Sequence, residues 1–306
     1  MINRALIRLK IVQLIYAYYQ NGKNIESAEK ELFFSLSKAY DMYNYLLLLM
    51  VDVTKYAADK VETAQARYER THDGEAPSTK FIDNKFVAML QTNKSLIDYR
   101  DNQKKGILTG DEVLKSIYNA IVESDTYKEY MASEESSFAA DRELWRKLYK
   151  TIIFNNETLD SFLEEQSLYW NDDKEIVDTF VLKTIKRFDE ANGEDQEILP
   201  KYKDDEDKEF ASKLFRRTIE NAEYYRHLMS RSSRNWELNR LAFMDVVIMQ
   251  IALAEILSFP NIPVNVTFNE YLDLAKLYST PKSAGYINGL LDAIVRQLKH
   301  ENKLMK

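Results

Sequence analysis

The sequence predicts an all-α fold, on the basis of its turn residues and the spacing of its apolar residues. The chain has 306 residues but only 7 glycines and 5 prolines. Neither type occurs between residues 111 and 192, so an all-β fold would lack the turns that it needs. Apolar residues instead recur at helical spacing along most of the chain. Hydrophobic residues make up 45% of it, which is enough for the core of one large domain or two smaller ones.

The first predicted helix carries the most distinctive surface residues. It begins at Asn3, a residue type that caps helices, and ends before an Asn-Gly break. At 100° per residue, Arg4 and Arg8 share one side, whereas Gln13 and Tyr16 lie on the opposite half. A short basic tip of this kind is either a solvated helix end or a contact site for an anionic partner.

Helical patterns continue through the rest of the chain. They are interrupted by predicted loops at 72–78 and 104–110, and by an acidic stretch at 192–207 that we interpret as a solvated connector. The main predicted helices after the first one are 25–58, 81–101, 111–124, 137–155, 210–231, 236–259 with Asn235 as its cap, 266–277 and 283–299.

A faint internal repeat joins the middle of the chain to its C-terminal part. Lys147–Trp170 aligns without gaps on Lys213–Trp236, at a shift of 66 residues. An ancient duplication of a helix pair would explain this similarity. Convergence of two amphipathic helices on similar patterns would explain it equally well.

The sequence gives little support to catalysis, and we predict that the protein is not an enzyme and has no metal or cofactor. Its three histidines lie in unrelated segments, and no glycine-rich phosphate-binding motif or nucleophile motif is present. The absence of cysteine excludes disulfides and thiolate catalysis and fits a reducing compartment, so we predict a cytoplasmic protein. The longest apolar run, 45–51, is far shorter than the ~20 residues of a membrane span.

Charge restricts the kind of partner that the chain can bind. A net charge of −7 argues against a broadly cationic surface for nucleic acid. A nucleic-acid site must therefore be local. The 20 tyrosines are expected mostly in the core, although exposed tyrosines also stack on unpaired bases.

Two long segments resemble a known family. Residues 244–257 (MDVVIMQIALAEIL) and 262–295, which contain IPVNVTFNEYLDLAK and GYINGLLD, resemble the C-terminal half of the NusB family of transcription antitermination proteins. The N-terminal RLKIVQLIYAYYQ is similar to the first helix of that family. The resemblance covers about 1–58 and 209–306. It implies an all-α fold of NusB-like helical bundles, divided into N-terminal helices (1–60), a helical insertion of unknown role (61–207) and a C-terminal NusB-like bundle (208–306).

The resemblance also implies a function. Members of the family bind boxA-type single-stranded RNA of the rRNA leader together with ribosomal protein NusE, in the RNA polymerase antitermination complex, and so support rRNA transcription. Carried onto this sequence, it implies a partner contact to NusE at Asp245 and RNA contacts at Arg4, Arg8, Gln13, Tyr16 and Tyr286.

The segment PKSAGYINGLLDAIV, residues 281–295, has two glycines within a helical pattern. We expect Gly285 and Gly289 to lie where the last helix meets its neighbours, since a helical glycine costs about 1 kcal/mol relative to alanine. We expect Asn288 to donate a buried hydrogen bond and Tyr286 to face RNA.

Two alternatives remain open at the level of sequence. The first helix has fewer arginines than family members commonly carry, and Gln250 replaces a usual arginine. The chain is therefore also compatible with a helical scaffold that binds NusE but not RNA. An RNA methyltransferase, a class in which NusB-like domains also occur, would need an α/β domain with a glycine-rich loop, and the central segment lacks one.

Overall fold

The computed structural model describes residues 1–22, 24–103, 106–233 and 241–306. Within these ranges all regular structure is helical and no strand occurs, so the predicted fold class is confirmed. The α-helices are α1 Arg4–Asn21, α2 Ile25–Thr71, α3 Lys85–Thr92, α4 Lys94–Asn102, α5 Asp111–Glu123, α6 Asp125–Ala132, α7 Phe138–Leu148, α8 Glu157–Gln166, α9 Lys174–Arg187, α10 Glu206–Glu220, α11 Ala222–Ser232, α12 Phe243–Ser258, α13 Val264–Tyr278 and α14 Ser283–His300. A π-helix, Tyr149–Ile153, follows α7, and short 3₁₀ helices cover Leu168–Trp170 and Glu190–Asp195.

The chain forms two compact units. Unit 1 consists of Met1 and residues 38–201, and unit 2 consists of residues 2–37 and 202–306. The helix α2 belongs to both, because it continues without a break past residue 37. The expected boundary at residue 60 lies inside this helix, and the division into three segments stays a prediction.

The core of unit 2 is built around α12. This helix packs against α1, α10, α11, α13 and α14. Its residues from 247 to 256 are all buried, as expected of a helix that is apolar on every side. The positions of α1 and α14 are therefore set in part by their packing against α12.

Both ends of α1 show the capping that the sequence predicts. The side chain of Asn3 accepts a hydrogen bond from the Leu6 amide at 2.9 Å. Gly22 has a φ of 62°, in the left-handed region, and its amide donates to the carbonyl of Tyr18 at 3.1 Å. A glycine adopts this conformation at little cost, so the helix ends there.

Several predicted helices have different bounds in the structure. The predicted helix 81–101 is two helices, because the side chain of Asn93 caps the second by accepting from the Leu96 amide at 3.1 Å. The predicted helix 210–231 is likewise divided at Asn221. The predicted cap Asn235 and the start of the predicted helix 236–259 lie outside the described residues. Within them, the corresponding helix is α12, which begins at Phe243.

The internal repeat is reflected in the helix order. Displaced by 66 residues, α8 would cover 223–232, and the observed helix there is α11, Ala222–Ser232. In the first copy, α7 and the π-helix that follows it end at Ile153, which aligns with Ile219, next to the end of α10 at Glu220. A duplicated helix pair and convergence are both compatible with this agreement, and the duplication stays a hypothesis. Trp236, the last residue of the second copy, lies outside the described residues.

A buried polar network stabilises the first copy of the repeat in unit 1. The Tyr149 hydroxyl donates to Asp178 Oδ1 at 2.5 Å, and Lys174 Nζ donates to Asp178 Oδ2 at 3.0 Å. Lys174 also donates to the carbonyls of Ile153 and Phe154 at the end of the π-helix. Burial raises the pKa of Asp178 to about 6, although the neighbouring Lys174 acts in the opposite direction. The network connects the π-helix to α9.

None of the helices in the described ranges has both the length and the apolar character that crossing a bilayer requires.

Candidate functional site

Arg8 lies on α1 but its side chain is directed into unit 2. Its Nε donates to Glu255 Oε2 at 2.8 Å and its Nη2 donates to Oε1 at 3.0 Å. The side chains of Arg8 and Glu255 are 4% and 0% exposed. Thr267 and Tyr271 also donate to the Glu255 carboxylate, at 2.8 and 3.0 Å. The pair is therefore buried and has the additional hydrogen bonds that a buried ion pair needs.

The surroundings of Arg8 favour a structural role for it. Glu270 lies 3.4 Å from its Nη1 and supplies a second negative charge. Burial, and then the charge of Glu255, raises the pKa of Tyr271 well above its ordinary value, so that its hydroxyl stays a donor. A direct contact between Arg8 and RNA stays a prediction.

Arg4 lies one turn earlier on α1 and is partly exposed. Its side chain is 42% exposed, with Nε 3.6 Å from Asp207 and Nη2 3.9 Å from Glu206. Its guanidinium also lies over the ring of Phe210, 5.1 Å from the centroid. The guanidinium of Arg8 lies 5.4 Å from the same ring. We call this group, Arg4, Arg8, Glu206, Asp207 and Phe210, the arginine end of the site.

A second group forms at the other end of α1. Gln13 Nε2 donates to the Tyr278 hydroxyl at 2.8 Å. The ring of Tyr16 lies 5.5 Å from that of Phe243, and each side chain is 37% exposed. Because an α-helix rises 1.5 Å per residue, Gln13 lies about 14 Å along the axis from Arg4.

Asp245 belongs to this second group but is buried. It is 5% exposed, and its Oδ2 accepts a hydrogen bond from Ser283 Oγ at 2.8 Å. Its other oxygen accepts from Ser279 Oγ, and the two serines are themselves hydrogen-bonded at 3.0 Å. The carboxylate therefore fixes the turn that leads into α14. A direct contact between Asp245 and a protein partner stays a prediction.

Tyr286 completes the second group. It is half-buried, and burial, together with the charge of Asp245, raises the pKa of its hydroxyl. We call this second group, Gln13, Tyr16, Phe243, Asp245, Tyr278, Ser279, Ser283 and Tyr286, the aromatic end.

The glycines beside Tyr286 lie on the surface. Gly285, Asn288 and Gly289 are all exposed, and a Cβ atom built at either glycine would meet nothing within 4 Å. The expectation that the glycines lie where α14 meets its neighbours is therefore wrong, and so is that of a buried Asn288. The helical period of this segment was correct, but its glycines lie on the outer side of α14. We call this exposed surface of Gly285, Asn288 and Gly289 the glycine face.

The structure thus brings together four of the six predicted site residues, Gln13, Tyr16, Asp245 and Tyr286, and leaves Arg4 and Arg8 at the other end of α1. Sequence reasoning missed Phe243, Ser279, Ser283 and the pairing of Glu255. For Glu255 a signal existed, since a carboxylate within an apolar helix is rarely buried unless it is paired. The serines carry no comparable signal. Within the described ranges, no three histidine, aspartate or glutamate side chains form a group that would hold a metal ion.

Comparisons with known proteins identify a family that matches the C-terminal part of the chain. Residues 179–296 match the NusB family, from within α9 to within α14. The transcription antitermination protein NusB of Salinibacter ruber is 32% identical over 132 residues, which are 41% of this chain and 82% of that protein. The NusB of Chloroherpeton thalassium is 38% identical over 99 residues, which are 32% of this chain and 47% of that protein. A solved structure of T. maritima NusB is 27% identical, with a TM-score of 0.31. The match covers 52% of this chain and 95% of the T. maritima chain.

Proposed function

The chain belongs to the NusB family of transcription antitermination proteins, and on this premise we propose that it binds boxA-type single-stranded RNA together with ribosomal protein NusE. In this proposal it holds both on RNA polymerase in the antitermination complex, supports rRNA transcription, acts in the cytoplasm and performs no catalytic step.

The glycine face is the observation that carries the proposal. Exposed glycines inside a helix cost about 1 kcal/mol each relative to alanine. No neighbouring atom of the chain would contact a Cβ at Gly285 or Gly289. The lack of side chains therefore brings no benefit to packing within the described residues, but it lets another molecule approach the α14 backbone closely.

RNA contacts are proposed at both ends of α1. Arg4 is the more exposed of the two arginines and would contact a phosphate. Tyr16 and Tyr286 would stack on unpaired bases, and Gln13, which holds the Tyr278 hydroxyl, would orient this surface. Arg8 would act by holding α1 in position, because its guanidinium is already bonded to Glu255.

The proposed NusE contact is at the aromatic end. Asp245 would support it indirectly, by fixing Ser279 and Ser283 at the start of α14. The net charge of −7 would also favour the approach of a basic ribosomal protein.

A second candidate function is a scaffold that binds NusE but not RNA. Both arginines of the first helix are engaged with carboxylates of the same chain, Arg4 with Glu206 and Asp207 and Arg8 with Glu255. Few cationic groups of α1 are therefore free for phosphates.

The proposal is tested by the affinity of the full chain for a boxA-like RNA, measured by fluorescence anisotropy with and without NusE at two salt concentrations. We expect NusE to tighten binding and salt to weaken it. Arg4→Ala should weaken RNA binding. The control Arg296→Ala removes an 80% exposed arginine near the C-terminal end of α14 and should not weaken RNA binding. Tyr16→Ala is compared in the same way with Tyr224→Ala, another partly exposed tyrosine. NusE binding without RNA binding would favour the scaffold.

A further inference from the structure

The first turn of α10 holds the most exposed cation of the arginine end. Glu206 and Asp207 lie 3.9 and 3.6 Å from the Arg4 guanidinium, and Phe210 lies beneath it. Arg4 is therefore contacted by two carboxylates and a ring that come from the first five residues of α10.

The aspartates that precede these two carboxylates supply local contacts at the start of α10. Acidic residues are generally favourable in the first turn of a helix. Here, however, Asp204 Oδ1 accepts from the Glu206 amide at 3.0 Å, and Asp205 pairs with Lys208 at 2.8 Å. The flanking aspartates thus make the local contacts at the start of the helix, while Glu206 and Asp207 lie beside Arg4.

The contact has the properties of one that can be exchanged. Arg4 and Glu206 are 42% and 79% exposed, so theirs is an exposed ion pair, whereas Asp207 is 18% exposed; both distances exceed those of a good charge-assisted hydrogen bond. Exposed ion pairs of this kind are weak and are readily screened by salt. A phosphate is also an anion with oxygen acceptors, so it would compete for the same guanidinium.

We propose that the first turn of α10 is an internal competitor of RNA: Glu206 and Asp207 occupy Arg4 in the free protein and give it up when a phosphate binds. The inference rests on the proposed function, because it assumes that RNA reaches Arg4. It predicts a low affinity of the arginine end for unspecific nucleic acid, since every phosphate must displace two carboxylates first.

The test uses the full chain and a boxA-like single-stranded RNA, with affinity measured by anisotropy at several salt concentrations. The variant Glu206→Gln/Asp207→Asn keeps the size of both side chains and removes their charge. We expect it to bind RNA about 3- to 10-fold more tightly, with a salt slope steeper by up to about 0.7, because the phosphate contact at Arg4 is no longer offset by the release of two carboxylates, which attract cations of their own. The control Glu220→Gln/Glu223→Gln changes the net charge equally, at the end of α10 and in the first turn of α11, and should leave both values nearly unchanged.

Arg4→Ala is then made in both backgrounds. We expect it to weaken RNA binding more strongly in the Glu206→Gln/Asp207→Asn protein than in the wild type, because only there is Arg4 free. If wild-type protein binds RNA and the charge-removed variant binds equally well, the internal competitor is excluded while the proposed function stands. If neither protein binds RNA with or without NusE, the proposed function fails, and this inference fails with it.

Discussion

Arg8 and Glu255 form a two-point ion pair in which neither side chain has appreciable contact with solvent. The pair connects the first helix of the chain to α12, the central helix of unit 2, across 247 residues of sequence. Thr267 and Tyr271 add donors from α13, so that one carboxylate connects three helices. The position of α1, and of every site residue on it, therefore depends on this pair.

Removing one partner of the Arg8–Glu255 pair should destabilise the folded protein. We expect Arg8→Ala to lower the free energy of unfolding by about 3 to 5 kcal/mol, because it leaves the Glu255 carboxylate buried without its cation. Denaturant unfolding followed by circular dichroism measures this value. The double variant Arg8→Met/Glu255→Leu, which replaces the pair by apolar side chains, should be clearly more stable than Arg8→Ala. Equal destabilisation by both would contradict the argument from buried charge.

Filling the glycine face should stabilise the protein. Gly289→Ala is expected to raise the free energy of unfolding by about 0.5 to 1 kcal/mol, since alanine has the higher helix propensity and its Cβ meets no neighbour. Gly285→Ala, nearer the start of α14, should act in the same direction. The contrasting variant is Gly22→Ala, which should destabilise, because the φ of 62° at Gly22 is unfavourable for alanine.

The same glycine variants also test the proposed function. If RNA or NusE approaches the backbone of α14, Gly285→Ala/Gly289→Ala should bind that partner more weakly while being more stable. A variant that is both more stable and unchanged in binding would show that the glycine face is not a contact surface.

The sequence predicts the fold class well, because apolar spacing reports the side of each helix that must be buried. It predicts helix breaks less well. Asn93 and Asn221 interrupt helices within continuous apolar patterns, and a polar residue on a helix surface looks the same in sequence whether or not the helix ends there. The cap at Asn3 was predictable because it coincides with the start of the pattern.

The site was only partly predictable, because its arrangement depends on tertiary contacts. A family resemblance identified Asp245, but the burial of its carboxylate depends on Ser279 and Ser283, which lie 34 and 38 residues away. The glycines of α14 were predicted correctly to lie in a helix. The spacing of residues in the sequence does not say, however, whether the glycines lie on the buried or the exposed side of that helix. Arg8 was assigned to the surface for the same reason.

Asp178, one of the buried carboxylates of unit 1, should make stability depend on pH. The pKa of Asp178 is raised to about 6 in the folded protein, above the ordinary value of an unfolded aspartate. Its favourable contribution is therefore present at low pH and is lost as pH rises through 6. Relative to Asp178→Asn, the wild-type protein should lose about 1 kcal/mol of stability between pH 5 and pH 7.5.

This pH dependence is measured as the difference in unfolding free energy between wild type and Asp178→Asn at each pH, which cancels the titration of other groups. Asp98→Asn, at an exposed position of unit 1, is the matched control. If this difference in unfolding free energy stays constant from about pH 5 to 7.5, or changes in the opposite direction, the pKa of Asp178 is not raised in the folded protein.

The two serines that bind Asp245 allow a direct partner contact to be separated from a positioning role. If Asp245 acts by holding the turn before α14, Ser279→Ala/Ser283→Ala should weaken NusE binding about as much as Asp245→Asn does, although the carboxylate is retained. Each lost hydroxyl should also cost about 1 to 3 kcal/mol of stability, because it leaves a buried acceptor without its donor. If instead Asp245 contacts NusE directly, the serine variant frees the carboxylate and should bind as well as wild type or better. NusE titrations of the three full-length proteins, at a temperature where circular dichroism shows all of them folded, distinguish these outcomes.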